Sequence, residues 1–259
     1  MPAELKSASH GRTMVLTISN PDHRNALGPE IYAAGVEALN AADSNPEVRS
    51  VVITGAGSTF CAGGNLQRLL ANRALAPEVQ AQSIEGLHGW IEAIRTFPKP
   101  VIAAVEGAAA GAGFSLALAC DFIVAADDAV FVMAYSTVGL SPDGGGTWSL
   151  AQALPRQLVN ELLMCGERIG SARLQQLGVV NKVAAPGAAL AEALALAARL
   201  NDRAPNVLAS IKELVADAPT APLTRQLASE REHFVKNLHH PNGGIGIEAF
   251  LSKKPPRYS

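Results

Sequence analysis

Much of what this sequence lacks narrows its function before any motif is read. Only three cysteines occur in 259 residues, Cys61, Cys120 and Cys165. They lie far apart without metal-ligand spacing, so no cysteine-based metal site is expected. Free thiols in a reducing compartment are expected instead. Charge of either sign is not in excess. The formal net charge of −2 supplies no global basic field for nucleic acid, so no nucleic-acid partner is expected. No uninterrupted apolar run reaches the roughly 18 residues of a membrane span. No long apolar segment opens the chain, so no signal peptide is expected, and the expected setting is cytoplasmic. Three well-known site sequences are also missing. There is no Gly-x-x-x-x-Gly-Lys-Ser/Thr phosphate loop, no dinucleotide fingerprint with its spaced acidic residue, and no Gly-x-Ser-x-Gly nucleophile elbow. His239 and His240 are adjacent, but adjacent histidines alone seldom chelate, and no third ligand is evident.

What is present is apolar, alanine-rich and patterned. The length suits one large domain with a substantial core. Residues 12–19 have strand composition and stop at the turn signal Asn20-Pro21-Asp22. Pro29 opens a helix to about residue 43, and 48–54 is a second strand. A short helix is expected over 65–72, a lid or variable loop over 73–81, and a helix over 82–97 stopped by Pro98 and Pro100. Short strands are expected at 122–126, 130–132 and 179–183, and helices from Trp148 and over 171–177. From Pro186 onward the pattern is helical, with breaks at Pro205, at 219–222 and at 240–244. Strands alternate with helices in the first two thirds and a helical tail follows. That is an α/β core with an α-helical appendage.

The chain is organised around residues 101–121. A buried strand leads through Gly107, Gly111 and Gly113, separated largely by alanines, into an apolar helix. A loop with almost no side chains lets another molecule approach the backbone closely. A helix start leaves N–H groups without internal partners. Together these suit an oxyanion or phosphate, although small residues also simply let a helix pack tightly on a sheet. Residues 55–64 and 139–146 form two more glycine-bearing loops.

Over essentially its whole length the chain resembles the enoyl-CoA hydratase/isomerase (crotonase) family. The resemblance is carried by Asn20-Pro21 with Arg24-Asn25-Ala26-Leu27, and by Phe60-Cys61-Ala62-Gly63-Gly64-Asn65-Leu66. It continues through 99–121 and 139–148 to the ending at 246–256. The resemblance implies a spiral of ββα units over 1–200 and a helical trimerisation region over 201–259. It implies acyl-CoA substrates, with coenzyme A as part of the substrate and no permanently bound cofactor. It also implies a homotrimer or dimer of trimers, and an oxyanion hole made by the N–H groups of Gly64 and Ala112. A thioester oxyanion needs two such preorganised donors in a dry site.

At the two positions where family hydratases carry glutamates, this chain has Ser115 and Tyr135. The ordinary two-glutamate hydration is therefore in doubt. Asp143 matches the catalytic aspartate of family isomerases, including the ring isomerase of phenylacetate breakdown. A single carboxylate can remove a proton at one carbon and return it at another. Aspartate before glycines is also a common turn residue. A second pattern aligns His88, Tyr135 and Asp143 with 4-chlorobenzoyl-CoA dehalogenases, where Asp143 would attack a ring carbon and His88 would activate water. A ring-hydrolysing variant of this pattern would keep Asp143 as acid/base with His88 handling water. By resemblance Arg24, Ala26, Ala62, Asn65 and Leu66 lie along the CoA path, Tyr135 contacts the substrate, and Phe250 and Lys253 reach a neighbour's CoA. An inactive trimeric scaffold, or an RNA-binding member, is the non-enzyme alternative.

Overall fold

The computed structural model describes residues 3–259. The chain runs β1 (Glu4–His10), β2 (Thr13–Ser19), α1 (Pro29–Ser44), β3 (Ser50–Gly55), α2 (Leu66–Asn72), α3 (Pro77–Thr96), β4 (Val101–Val105), β5 (Ala108–Ala110) and α4 (Ala112–Ala119). It continues through β6 (Phe122–Ala126), β7 (Val130–Val132), α5 (Gly146–Ala153), α6 (Arg156–Asn160), β8 (Arg168–Gly170), α7 (Ser171–Gln176) and β9 (Lys182–Ala184). Four helices end it: α8 (Ala189–Asn201), α9 (Pro205–Asp217), α10 (Leu223–Leu238) and α11 (Pro241–Leu251).

Six strands form one sheet in the order β1-β2-β3-β4-β6-β9. β1 is an antiparallel edge, and β2 onward pairs in parallel, with Val51 opposite Val101 and Ile102 opposite Phe122. A parallel sheet needs cover on both faces. Alternate residues supply it: Leu16, Ile18, Val51, Ile53, Ala103 and Val105 share one core with α1, α3 and α4. Val15, Val52, Ile102, Ala104 and Val124 point the other way, onto Ala193 and Ala197 of α8.

Short segments downstream of the main strands build a second ladder. β5 follows β4 and pairs with β7, which follows β6 and pairs with β8. Cys61, past β3, bridges Ala109, and Leu27, past β2, bridges Gly64. Each turn of the chain thus adds one strand to the large sheet and one extended segment to the small ladder. This is the mixed α/β spiral of ββα units that the sequence led us to expect, with a helical C-terminal region. The glycine loops fall where the chain steps from one layer to the other.

One local expectation is corrected, and two strands lie where none was expected. The 73–81 segment is not a long loop, because α3 begins at Pro77, at the helix start where proline is favoured, with Glu78 in its first turn. Residues 77–79 are exposed, so this turn has no apolar face to betray it. β1 is polar and almost wholly exposed, and it is held by backbone pairing to β2 instead of by burial. β8 has only three residues, too few to show a period.

Candidate active site

The motif around Asn20 and Asn25 works as a brace. Arg24 and Asn25 turn the chain at φ 50° and 58°. Buried Asn25 donates from Nδ2 to the Ala56 and Thr59 carbonyls, and its Oδ1 accepts the Asn20 N–H. Asn20 Nδ2 donates to the Ala26 carbonyl. The 59–64 loop is then stitched on both sides. Ala62 N–H donates to Arg24 O and Leu27 N–H to Gly63 O, while Cys61 N–H donates to Ala108 O and accepts Ala110 N–H on its own carbonyl.

This stitching brings two loops into contact. Gly63 has φ 89°, and a Cβ there would sit 2.6 Å from the Ala110 oxygen and 3.3 Å from the Ala112 nitrogen. A Cβ on Gly113 would lie 2.5 Å from the Cys61 oxygen. Only glycine permits so close an approach of backbone to backbone. The Ala112 amide, at the start of α4, is therefore one residue away from the Gly64 amide across the contact. Among the described residues neither the Gly64 nor the Ala112 N–H donates a hydrogen bond. Burial pushes the Cys61 thiol up to about 12, which leaves it an inert neighbour and not a nucleophile.

Asp143 stands in the loop before α5, and the two positions that lack glutamate converge on it. Tyr135 donates its hydroxyl to Asp143 Oδ1 at 2.6 Å, and Ser115 donates to the Asp143 carbonyl at 3.0 Å. Burial first, and then the Asp143 charge, push the Tyr135 phenol far above its ordinary range, so it stays a proton donor. The next residues fit tightly. A Cβ on Gly144 would meet Ser115 Cβ at 3.1 Å and Leu87 Cδ2 at 3.3 Å, and a Cβ on Gly146 would meet Ser115 Oγ at 2.6 Å. The Tyr135 ring also lies beneath Gly111, 3.5 Å from its missing Cβ. One set of contacts therefore joins the 111–113 loop to Asp143.

The other expected site residues spread outward. Ala26 is buried, Ala62 and Asn65 are half-buried, and Arg24 and Leu66 are exposed. Asn65 caps α2 by accepting Arg68 N–H. His88 pairs with Glu85, its Nδ1 3.9 Å from Oε1, on a partly exposed flank of α3, and no hydrogen bond or ion pair joins it to Asp143 among the described residues. Phe250 is 84% exposed at the end of α11, and Lys253 lies just past it. Among the described residues no hydrogen bond links these two to the Gly64–Ala112 contact. His240 caps α11, its Nδ1 accepting Asn242 N–H. Sequence reasoning missed the service of Ser115 and Tyr135 to Asp143.

A sheet-and-ladder spiral with two undonated main-chain amides at a loop junction has the form of an enzyme fold suited to receive a negatively charged oxygen. The comparisons make this specific. The profile of the Enoyl-CoA hydratase/isomerase family matches residues 9–259. The chain is 34% identical over 248 residues to the 1,2-epoxyphenylacetyl-CoA isomerase of Escherichia coli K12, covering 95% of this chain and 94% of that protein. It is 33% identical over 256 residues to the 2,3-dehydroadipyl-CoA hydratase of the same strain, covering 99% and 98%. A crystal structure of an enoyl-CoA hydratase from Polaromonas sp. JS666 superposes with a TM-score of 0.98 at 72% identity, over 99% of this chain and 100% of that one. The chain belongs to the enoyl-CoA hydratase/isomerase family.

Proposed function

We propose that this enzyme binds an acyl-CoA thioester, holds its carbonyl oxygen on the Gly64 and Ala112 N–H groups, and moves protons on the acyl chain with Asp143. The observation that carries this reading is the backbone contact at Gly63, which sets two undonated amides side by side. Charge that develops on the thioester oxygen would be met by donors already in place. Asp143 is tied to the helix that starts at Ala112, because Ser115 of that helix donates its hydroxyl to the Asp143 carbonyl. Its Oδ1 is taken by Tyr135, and no hydrogen bond engages Oδ2 among the described residues, which leaves that oxygen to abstract and return a proton. Family membership and the named relatives support the substrate class.

Coenzyme A enters as part of the substrate, along Arg24, Ala26, Ala62, Asn65 and Leu66, and no permanent cofactor or metal is assigned. Phe250 and Lys253 serve the CoA of a neighbouring subunit in a homotrimer or dimer of trimers. The division into a core over 1–200 and an oligomerisation region over 201–259, and a cytoplasmic setting, belong to the same reading. No hydrogen bond joins His88 to Asp143 among the described residues, and acid/base chemistry by Asp143 needs none, whereas the ester-forming route needs His88 as its base. The test is Asp143→Asn. Turnover should fall by about 10²–10⁴-fold, with CoA binding retained. Unchanged kcat, or an aspartyl ester detected by mass, refutes the assignment.

A further inference from the structure

Tyr135 is held at three points. Its carbonyl accepts the N–H groups of Val138 and Leu140, each at 3.0 Å, which closes the turn that brings the chain back toward Asp143. Its ring lies under Gly111, with Cζ, Oη and Cε2 between 3.5 and 3.7 Å from where a Cβ there would stand. Its hydroxyl ends on Asp143 Oδ1 at 2.6 Å. Gly111 is itself fixed. Its N–H donates to Val132 O at the end of β7, and its carbonyl accepts the Phe114 and Ser115 N–H groups of α4. The next residue is Ala112, whose amide is half of the pair assigned to the thioester oxygen.

One phenol therefore spans from the residue before Ala112 to the carboxylate that moves protons. The ring is rigid, so it acts as a spacer between the two. A contact of 2.6 Å from a hydroxyl to a carboxylate is in the range of charge-assisted hydrogen bonds, roughly twice as strong as neutral ones. The last torsion of an aspartate side chain has a broad, two-fold well, so a carboxylate without a partner has no fixed direction for either oxygen. Ser115 cannot supply that direction, because it holds Asp143 by the main-chain carbonyl. Among the described residues, the Tyr135 hydroxyl makes the one hydrogen bond to the Asp143 carboxylate. Asp143 itself stays half-buried, neither sealed off nor freely solvated.

We propose that Tyr135 is a positioning residue and not a substrate contact: its ring sets the spacing between the Ala112 amide and Asp143, and its hydroxyl turns the carboxylate so that Oδ2 is directed to the acyl carbon. The inference rests on the reading of Asp143 as the proton carrier. Tyr135 acts through Asp143 and touches no reacting atom. A displacement of about 1 Å at a reacting group can cost on the order of 10²-fold in rate, so a fixed carboxylate matters more to turnover than to binding.

Proton exchange in heavy water tests this on the full-length protein, with a β,γ-unsaturated hexenoyl-CoA as probe. Its α protons lie between a thioester carbonyl and a double bond and are readily removed. Asp143 takes one, the electron pair spreads onto the thioester oxygen, and the carboxyl trades its proton with solvent and returns a deuteron. The mass of the acyl group then rises whether or not the double bond moves. Tyr135→Phe keeps the ring and loses the hydroxyl. Its exchange rate at saturation should fall about 10–100-fold. The half-saturating concentration, the calorimetric affinity for the unreactive thioether hexyl-CoA and the Tm should stay at native values. Tyr135→Leu removes spacer and hydroxyl together. It should slow exchange at least as much, again at native affinity, and serves if the phenylalanine variant does not fold. Native exchange rates in both variants overturn the proposal. So does a weaker affinity for hexyl-CoA with an unchanged rate at saturation, which would make Tyr135 a substrate contact. Asp143→Asn, run beside them, keeps the two readings apart. Native exchange in that variant refutes the Asp143 assignment itself, whereas lost exchange there with native exchange in Tyr135→Phe refutes the positioning role alone.

Discussion

Gly63 concentrates the chemistry of the site into one missing side chain. Its φ of 89° is a conformation that L side chains rarely adopt, and a Cβ would collide with Ala110 O at 2.6 Å. Gly63→Ala should lower stability by about 1–3 kcal/mol. It should also cost on the order of 10²-fold in turnover, because the Ala112 amide moves away from its partner. Gly57→Ala is the control. Its φ of 73° imposes comparable strain, but nothing lies within 4 Å of its Cβ, so activity should persist while stability falls. Denaturant titration together with kcat separates the two effects. If both variants keep full activity, the amide pair has no catalytic weight. At this scale the sequence pointed to the loops that meet in the structure, because glycine clusters permit close approach of backbone to backbone. It did not reveal side-chain pairing. Tyr135 read as a substrate contact, yet its hydroxyl is given to Asp143, a hydrogen bond that depends on how the 136–142 segment turns back.

Elements were legible in proportion to their burial. β3, β4 and β6 are apolar runs because both faces of the sheet are covered, and helix starts at Pro29, Pro205 and Pro241 follow from proline's fixed φ. β1 escaped because backbone pairing, which leaves no apolar pattern, holds it, and the first turn of α3 escaped because its residues are exposed. How the terminal helices dock was also invisible, since one ion pair fixes part of it. Lys212 of α9 donates to Asp121 Oδ2 at 2.8 Å and to the Ile94 carbonyl at 2.9 Å. Asp121 also accepts the Val101 N–H at 2.8 Å. Burial pushes the Asp121 carboxyl up and Lys212 opposes it, so removal of the lysine leaves a poorly compensated charge. Lys212→Met should destabilise the chain by about 1–3 kcal/mol, discounted for partial exposure. Amide exchange should quicken in α9 before it does in β4. Exchange that quickens equally throughout would mean that the pair holds the core and not the docking.

On the whole molecule, large apolar side chains crowd the surface of the terminal helices. Val215, Leu223, Phe234, Phe250 and Leu251 are between 66% and 84% exposed, on helices whose buried residues are few. A lone chain that leaves so much apolar surface in water is poorly soluble, and contact with further copies removes it. The proposed homotrimer would satisfy this and would give Phe250 and Lys253 a function, namely contact with CoA held by the next subunit. Light scattering should then report about 81 kDa, three times the chain's 26.9 kDa, or twice that for a dimer of trimers. Phe250→Asp with Leu251→Asp places two charges in the proposed interface and should shift the species toward single chains. Free CoA should bind more weakly to that variant, although both substitutions lie far along the chain from Gly64. A variant that stays assembled and binds CoA normally would remove both the interface and the shared site. One that dissociates yet keeps its CoA affinity would show that each chain completes its own site.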